Sequence, residues 1–384
     1  MDITTNFLGT KVVKIGLGMS RVGSASSQSE EYLKNRLAVI EELSSHGTVL
    51  LDTSPLYGGG FSEFFVGRVL SRRPERFFVA TKFYPRAHHG TRHLISSVKK
   101  SLRRLGVDRI DLLQLHWSAS TMRFAEIVEG VDVLKQEGLL AHFGLSSFCR
   151  TEIDELFEIA PSLELVSNQI ELHLGNFASR ELWQHGSVPW SLAYSSLLQG
   201  RLTYSHAQRS LVTAHSTATG QSPAAVALAS LISSSDRLIP ILRISSIRHL
   251  NQLLKIFTEK GNGSALRSIT EIDQPAVIYV NPSRIELRGD SSRKPYLSHA
   301  AAVVNRLGLL PSPLSLSRRF HRGYVELPVL VTVKSDGNYV TDSKDPLNEV
   351  KRYWAWRLAR PGEPIPVIVL EPPGNVREAQ TTNG

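Results

Sequence analysis

The chain has 384 residues, 41% of them hydrophobic and 21% charged, and carries a formal net charge of +9. That balance excludes a disordered chain, and the length predicts two domains able to bury cores without covalent staples. Cys149 is its one cysteine, which excludes an intrachain disulfide and a cysteine-built metal cage.

The opening residues Met1–Asn6 show no basic stretch followed by an apolar one, and no run of about 18 apolar residues occurs, so the cytoplasm is the expected location and no membrane partner is expected. Basic residues cluster only briefly, at Lys99-Lys100, Arg103-Arg104 and Arg318-Arg319. They are otherwise mixed with acids, as on a solvated face. Such a field draws an anionic small molecule such as a dinucleotide, and leaves nucleic acid as the less favoured partner.

Along the chain, short apolar runs alternate with longer amphipathic ones. Strands are expected at Val12–Gly18, Thr48–Ser54, Arg76–Phe83, Arg109–His116, Ala141–Phe148, Leu163–Leu172, Val188–Ser195 and Leu238–Ser245. Their richness in Val, Ile, Leu and Phe suits strands covered on both faces. Helices are expected at Tyr32–His46, His93–Leu105, Phe124–Glu137, Ser222–Ser233 and Arg248–Glu259. In the second of these, Leu94, Ile95, Val98, Leu102 and Leu105 make one apolar stripe, and Gly106 stops it. Eight βα units in about 250 residues fit a closed (β/α)8 TIM barrel. A doubly wound sheet is the alternative, but Gly16-Leu17-Gly18-Met19-Ser20 lacks the third glycine of its phosphate loop.

Gly261-Asn262-Gly263-Ser264 marks a boundary. The expected division is a barrel over 1–261, a linker over 262–275, a small α+β module over 276–371 and a polar, flexible tail over 372–384. Within the module, Val277–Val280, Val329–Val333 and Pro366–Leu370 read as strands, Lys334–Asn338 as a hairpin turn and Asn348–Leu358 as a helix.

Functional groups of a barrel sit where strands run into the following loops. Those junctions carry Asp52 and Tyr57 after strand 2, Lys82 on strand 3 and His116 at the end of strand 4. Singly, each has an ordinary structural explanation: a turn aspartate, a snorkelling lysine, a core histidine. Together they make a carbonyl-reducing set. Hydride arriving at a carbonyl carbon puts negative charge on oxygen, which needs a proton donor, and Tyr57 can supply it. Lys82 is expected to lower the phenol's pKa, Asp52 to keep Lys82 charged, and His116 to orient the substrate oxygen. No metal site is expected.

Residues 11–260 resemble the aldo-keto reductase superfamily. The resemblance rests on Gly16-Leu17-Gly18, Asp52-Thr53-Ser54-Pro55-Leu56-Tyr57-Gly58, Ala80-Thr81-Lys82, Ser101–Asp108, Asp111–His116 and Ser167-Asn168-Gln169. It implies an NAD(P)H-dependent reduction of a small polar, sugar-like aldehyde or ketone, or the reverse oxidation, with Asp52, Tyr57, Lys82 and His116 as the family's tetrad. It also implies a cofactor site. Gly18 and Met19 would line it after the first strand, and Ser146, Ser147 and Gln169 would hold the nicotinamide carboxamide, with Ser147 standing where asparagine is usual. Tyr194, Ser195, Ser196 and Leu197 would lie along nicotinamide and pyrophosphate, with Ser196 in place of a proline. Arg243, Ser245, Arg248 and Gln252 would meet the adenosine end. An arginine fork suits a 2′-phosphate, so NADP(H) is favoured over NAD(H).

Residues 276–371 resemble, more distantly, the ParB N-terminal/sulfiredoxin-like fold, through Val280–Ile285, Leu327–Val333 with Ser335–Val340, and Ala355–Ala359 leading into Ile365–Val369. That family's Gly-x-His/Asn-Arg nucleotide motif is replaced by Thr341–Asn348, so a binding, lid or assembly role is expected in place of nucleotide chemistry. The competing reading is a cofactor-sensing binding protein whose module contacts DNA or a protein partner.

Overall fold

The computed structural model describes residues 2–23, 29–84, 90–117, 124–148, 150–174, 188–200, 202, 206–258, 266, 269, 278–287, 329–341, 352–357 and 363–370. Two compact units are present, Met1–Thr203 with Gln208–Ile272, and Tyr204–Ala207 with Asp273–Gly384.

The first unit opens with a hairpin, β1 (Thr4–Phe7) and β2 (Thr10–Val13), paired antiparallel from Thr4↔Val13 to Phe7↔Thr10. The barrel strands follow: β3 (Gly16–Gly18), β4 (Val49–Asp52), β5 (Phe77–Phe83), β6 (Ile110–Leu115), β7 (Leu140–Ser146), β8 (Leu165–Glu171), β9 (Trp190–Tyr194) and β10 (Leu238–Leu242). They close in the order β10-β3-β4-β5-β6-β7-β8-β9, parallel throughout. The fold is therefore a (β/α)8 barrel. A doubly wound sheet is ruled out by the closure.

The expected strand Val12–Gly18 is a misreading. Its apolar run is two elements, because Val12 and Val13 pair back onto β1 and only Gly16–Gly18 joins the barrel. The hairpin seals the end where the strands begin. Phe7 is fully buried there, edge-on to Phe78 at 5.1 Å and to Trp190 at 5.0 Å, amid Leu50, Leu192 and Ile239. The opposite end is left for chemistry.

Helices α1 (Glu30–Ser44), α2 (Phe61–Leu70), α3 (Thr91–Leu105), α4 (Phe124–Gln136), α5 (Arg150–Ile159), α6 (His206–Thr219), α7 (Pro223–Ser233) and α8 (Ile247–Thr258) belong to the barrel chain. The α3 stripe behaves as expected, burying Leu94, Val98, Leu102 and Leu105. These side chains join Val39, Leu43, Val66 and Leu113 in the layer between helices and strands. α7 starts from Ser222, whose hydroxyl accepts from the Ala225 amide at 3.2 Å, with Pro223 at its first position.

The second unit has a mixed sheet ordered β11-β15-β13-β14-β12, from β11 (Ile278–Val280), β12 (Ile285–Glu286), β13 (Val329–Val333), β14 (Tyr339–Thr341) and β15 (Ile365–Val369). The β13–β14 hairpin turns where the sequence places it, with the Lys334 amide donating to the Asn338 carbonyl at 2.7 Å. Residues 352–357 are helical, and Trp356 packs into a core with Val329, Val331, Ile365 and Val367. Cys149, most of the 262–275 linker, Arg318-Arg319, 342–350, Leu358 and the 372–384 tail lie outside the described residues.

Candidate active site

Period-two alternation sends every second residue of a strand to one face, and at the carboxyl ends of adjacent parallel strands those faces meet. Asp52 is the last residue of β4, and Lys82 lies near the end of β5, one strand over. The Lys82 Nζ donates to Asp52 Oδ1 at 2.6 Å, to the Thr53 carbonyl at 3.1 Å and to the Tyr57 hydroxyl at 3.2 Å. Lys82 and Asp52 are buried, at 0% and 4% side-chain exposure.

Tyr57 begins a single helical turn, Tyr57–Gly60, directly after the loop that follows β4. That turn needs glycine. Gly58 has φ +59°, and a Cβ there would stand 2.8 Å from the Gly23 Cα. His116 follows β6, with its ring 5.9 Å from the Tyr57 ring and nearly perpendicular to it. Its Nδ1 is 3.5 Å from Ser54 Oγ. Asp52, Tyr57, Lys82 and His116 are thus brought together at one end of the barrel. Trp117 stands beside His116 at 4.3 Å and beside Tyr84 at 4.5 Å, giving this mouth an aromatic wall.

Electrostatics follow from burial. Desolvation pulls the Lys82 ammonium down, but the Asp52 charge and the Tyr57 contact outweigh it, and its pKa ends above the ordinary value. Burial pushes the Tyr57 phenol up; Lys82 opposes this, and Asp52 partly cancels Lys82. Lys82 thus lowers the phenol as expected, but burial raises it more, so the net shift is upward and the phenol stays protonated at neutral pH. Burial first, then Lys82, hold the His116 imidazole well below its usual pKa, so it is neutral.

A histidine depressed on folding binds fewer protons in the native state than in the unfolded one. Stability should hold above pH about 6.5 and fall below it, by no more than about 1.4 kcal/mol per pH unit. Chemical denaturation at pH 7.5 and at about pH 5.5 checks this. His116→Gln should flatten the difference, and an unchanged pH slope in that variant would contradict the assignment.

Two partners of Asp52 escaped the sequence reading. Gln169 Nε2 donates to Asp52 Oδ1 at 2.8 Å and Gln114 Nε2 does so at 3.3 Å. Gln169 thus has its amide nitrogen engaged by the carboxylate. Gln114 shares a strand face with His116, two residues on, which was the available signal. A further buried layer ties α2 to the strands. Thr53 Oγ1 meets Ser62 Oγ at 2.8 Å, and Glu63, fully buried, accepts from Thr81 Oγ1 and from Arg104 Nε, both at 2.6 Å. The first two bonds land on the chain neighbours of Asp52 and Lys82, and Arg104 holds Glu63 in place.

The expected cofactor residues occupy the same end of the barrel. Gly18 ends β3 and Met19 follows it, both buried. Ser146 ends β7, buried, and Ser147 follows with φ +60° and its hydroxyl 3.4 Å from that of Tyr194. Ser195 also has positive φ, +56°, while the buried Ser196 hydroxyl donates to the Ala193 carbonyl at 2.8 Å. Non-glycine residues held at positive φ concentrate where ligands bind. Leu197 is half-buried, and Arg243, Ser245, Arg248 and Gln252 are exposed after β10 and on the first turns of α8. Among the described residues no cluster of His, Cys, Asp and Glu could hold a metal ion, and no helix is long and apolar enough to cross a membrane.

Residues 14–274 match the Aldo/keto reductase family, and the chain belongs to it. It is an NAD(P)-dependent oxidoreductase. It is 31% identical over 246 residues to methylglyoxal reductase YeaE of Escherichia coli, spanning 62% of this chain and 83% of that one. To 6-dehydroglucose reductase of Agrobacterium fabrum it is 26% identical over 262 residues, 62% of this chain and 86% of the relative. Some other relatives are matched over less of their length, as with the 50% of oxidoreductase YqkF of Bacillus subtilis. A Klebsiella pneumoniae aldo/keto reductase crystallised with NADP and acetate superposes with a TM-score of 0.61 at 26% identity, covering 71% of this chain and 95% of that one.

Proposed function

We propose that the chain reduces the carbonyl of a small polar, sugar-like aldehyde or ketone, preferring NADPH to NADH, with Tyr57 as the proton donor. The observation that carries this is the Lys82 ammonium 3.2 Å from the phenol oxygen and 2.6 Å from Asp52. A nicotinamide dinucleotide held here would supply the hydride that the carbonyl carbon takes up. His116, neutral and half-buried, donates a hydrogen bond that fixes the substrate oxygen beside the phenol. As negative charge grows on that oxygen, Tyr57 passes its proton over and an alcohol forms. Lys82 then stabilises the phenolate left behind, which is where its charge matters most. Asp52, held by Gln114 and Gln169, keeps Lys82 in place.

The residues present fit a nicotinamide cofactor. An aromatic ring at Tyr194, the hydroxyls of Ser146 and Ser147, and the Gln169 amide offer stacking and hydrogen bonds to a carboxamide. Arg243 and Arg248, with Ser245 and Gln252, suit a phosphate-bearing adenosine, which favours NADPH. The names of the methylglyoxal and 6-dehydroglucose reductases support small dicarbonyls and sugar carbonyls as the substrate class, and the fusion to a second module supports a biosynthetic setting. The lone cysteine supports a cytoplasmic, reducing location.

For the domains, the reading keeps a barrel over 1–261, a linker over 262–275 and a ParB N-terminal/sulfiredoxin-like module over 276–371 with a tail beyond it. The mixed sheet and the β13–β14 hairpin support it. With Thr341–Asn348 in place of the nucleotide motif, the module serves binding or assembly. The test is turnover of purified full-length chain on a panel of dicarbonyls, sugar aldehydes and aliphatic aldehydes with NADPH and with NADH. Oxidation of neither cofactor by any carbonyl would sink the proposal.

A further inference from the structure

The barrel closes on a thin seam. β10 and β3 share only Ile241↔Gly16 and Leu242↔Leu17, whereas β8 and β9 share the five pairs from Ser167↔Trp190 to Glu171↔Tyr194. Beyond Leu17 and Leu242 the backbone ladder stops, and a side chain takes over. Arg36, from the middle of α1, donates through Nη1 to the Ile244 carbonyl and through Nη2 to the Gly18 carbonyl at 3.1 Å, with Met19 Sδ also 3.1 Å from Nη2. One guanidinium thus staples the two chain segments that leave the seam at the reactive end.

This residue is costly. Arg36 is 1% exposed, its guanidinium meets two carbonyl dipoles and a sulfur, and its buried Nε has no hydrogen-bond partner among the described residues. Burial brings its pKa down to about 10, with Tyr32 opposing and Arg243 adding to the fall, so it remains a cation at neutral pH. An apolar side chain would fill the same space at lower cost. What it could not do is hold two carbonyls at a fixed separation.

Between the clamped Ile244 and the paired Leu242 lies Arg243, exposed, its Cγ within 3.8 Å of where a Cβ on Gly18 would stand. Gly18 has no room to spare, since that same Cβ would be 3.1 Å from Ile241 Cγ2. The path of residues 242–245 is therefore set from below by Arg36 and from the side by Gly18. We propose that Arg36 is a positioning residue for dinucleotide binding: by stapling Gly18 to Ile244 it presents Arg243 and Ser245 to the phosphate of the adenosine end. The inference rests on the cofactor reading above for its ligand, though not for the staple itself.

Two measurements on Arg36→Lys and Arg36→Gln, in the full chain, test it. Hydrogen exchange without any ligand should rise at the amides of 18–20 and 242–246 while the 80–83 and 112–116 amides stay protected. In fluorescence titration the Kd for NADPH should rise roughly tenfold, by the loss of fixed hydrogen bonds to a charged group. The Kd for NADH should rise less, and kcat at saturating NADPH should change less than about twofold, because the Tyr57–Lys82–Asp52 geometry is untouched. A merely structural role would weaken both cofactors alike. Unchanged exchange in a folded variant overturns the staple, and raised exchange with unchanged NADPH affinity overturns its role in binding. Wild-type protein that binds no NADPH, yet shows the exchange difference, fails the functional reading and the ligand while sparing the staple.

Discussion

Tyr57→Phe should lower kcat by roughly 10²- to 10⁴-fold, the range expected for losing a general acid, with the Kd for NADPH unchanged. The substitution removes one oxygen. The aromatic ring keeps its edge-on contact with His116 at 5.9 Å, and Lys82 keeps Asp52 and the Thr53 carbonyl as partners, so geometry survives. Only the proton is lost. Steady-state turnover with a dicarbonyl, alongside cofactor titration, separates the two effects. Equal loss of affinity and turnover would instead point to a collapsed site.

Lys82→Met should be worse for folding than for packing. Methionine fills the same volume, but Asp52 is left buried with only two glutamine amides, where the wild type adds an ammonium at 2.6 Å. Removing one member of a buried pair costs about 3–5 kcal/mol, and denaturant unfolding should read a loss of that order. Adding Asp52→Asn should recover most of it, because no charge then lies stranded. Activity should stay absent in the double variant, since nothing stabilises the phenolate. A Lys82→Met protein as stable as wild type would mean that Asp52 is protonated or solvated, contrary to the geometry.

Much of this was legible in the sequence, for a physical reason. Strands buried on both faces must be apolar throughout, so β4 to β10 stand out as short runs, and a polar residue ending such a run is conspicuous. Asp52, Lys82 and His116 are of that kind. Val12–Gly18 misled because an apolar run does not say which neighbour it pairs with, and here half of it folds back on β1. Arg36, Glu63 and Gln114 were missed for the opposite reason. A charge in Tyr32-Leu33-Lys34-Asn35-Arg36 reads as a solvated helix face, and only the tertiary fold buries it at 1% exposure. The direction of the Tyr57 shift was also beyond the sequence, because it depends on how far burial and Asp52 offset Lys82.

The central claim is that phenol and ammonium act as one acid, and a double-substitution cycle on kcat/KM addresses it most directly. Tyr57→Phe, Lys82→Met and the two combined, each assayed where the variant is folded, should be far from additive, the pair losing little more than Tyr57→Phe alone, since the charge has no work once the proton is gone. Losses that multiply would show two independent contributions and contradict the coupling.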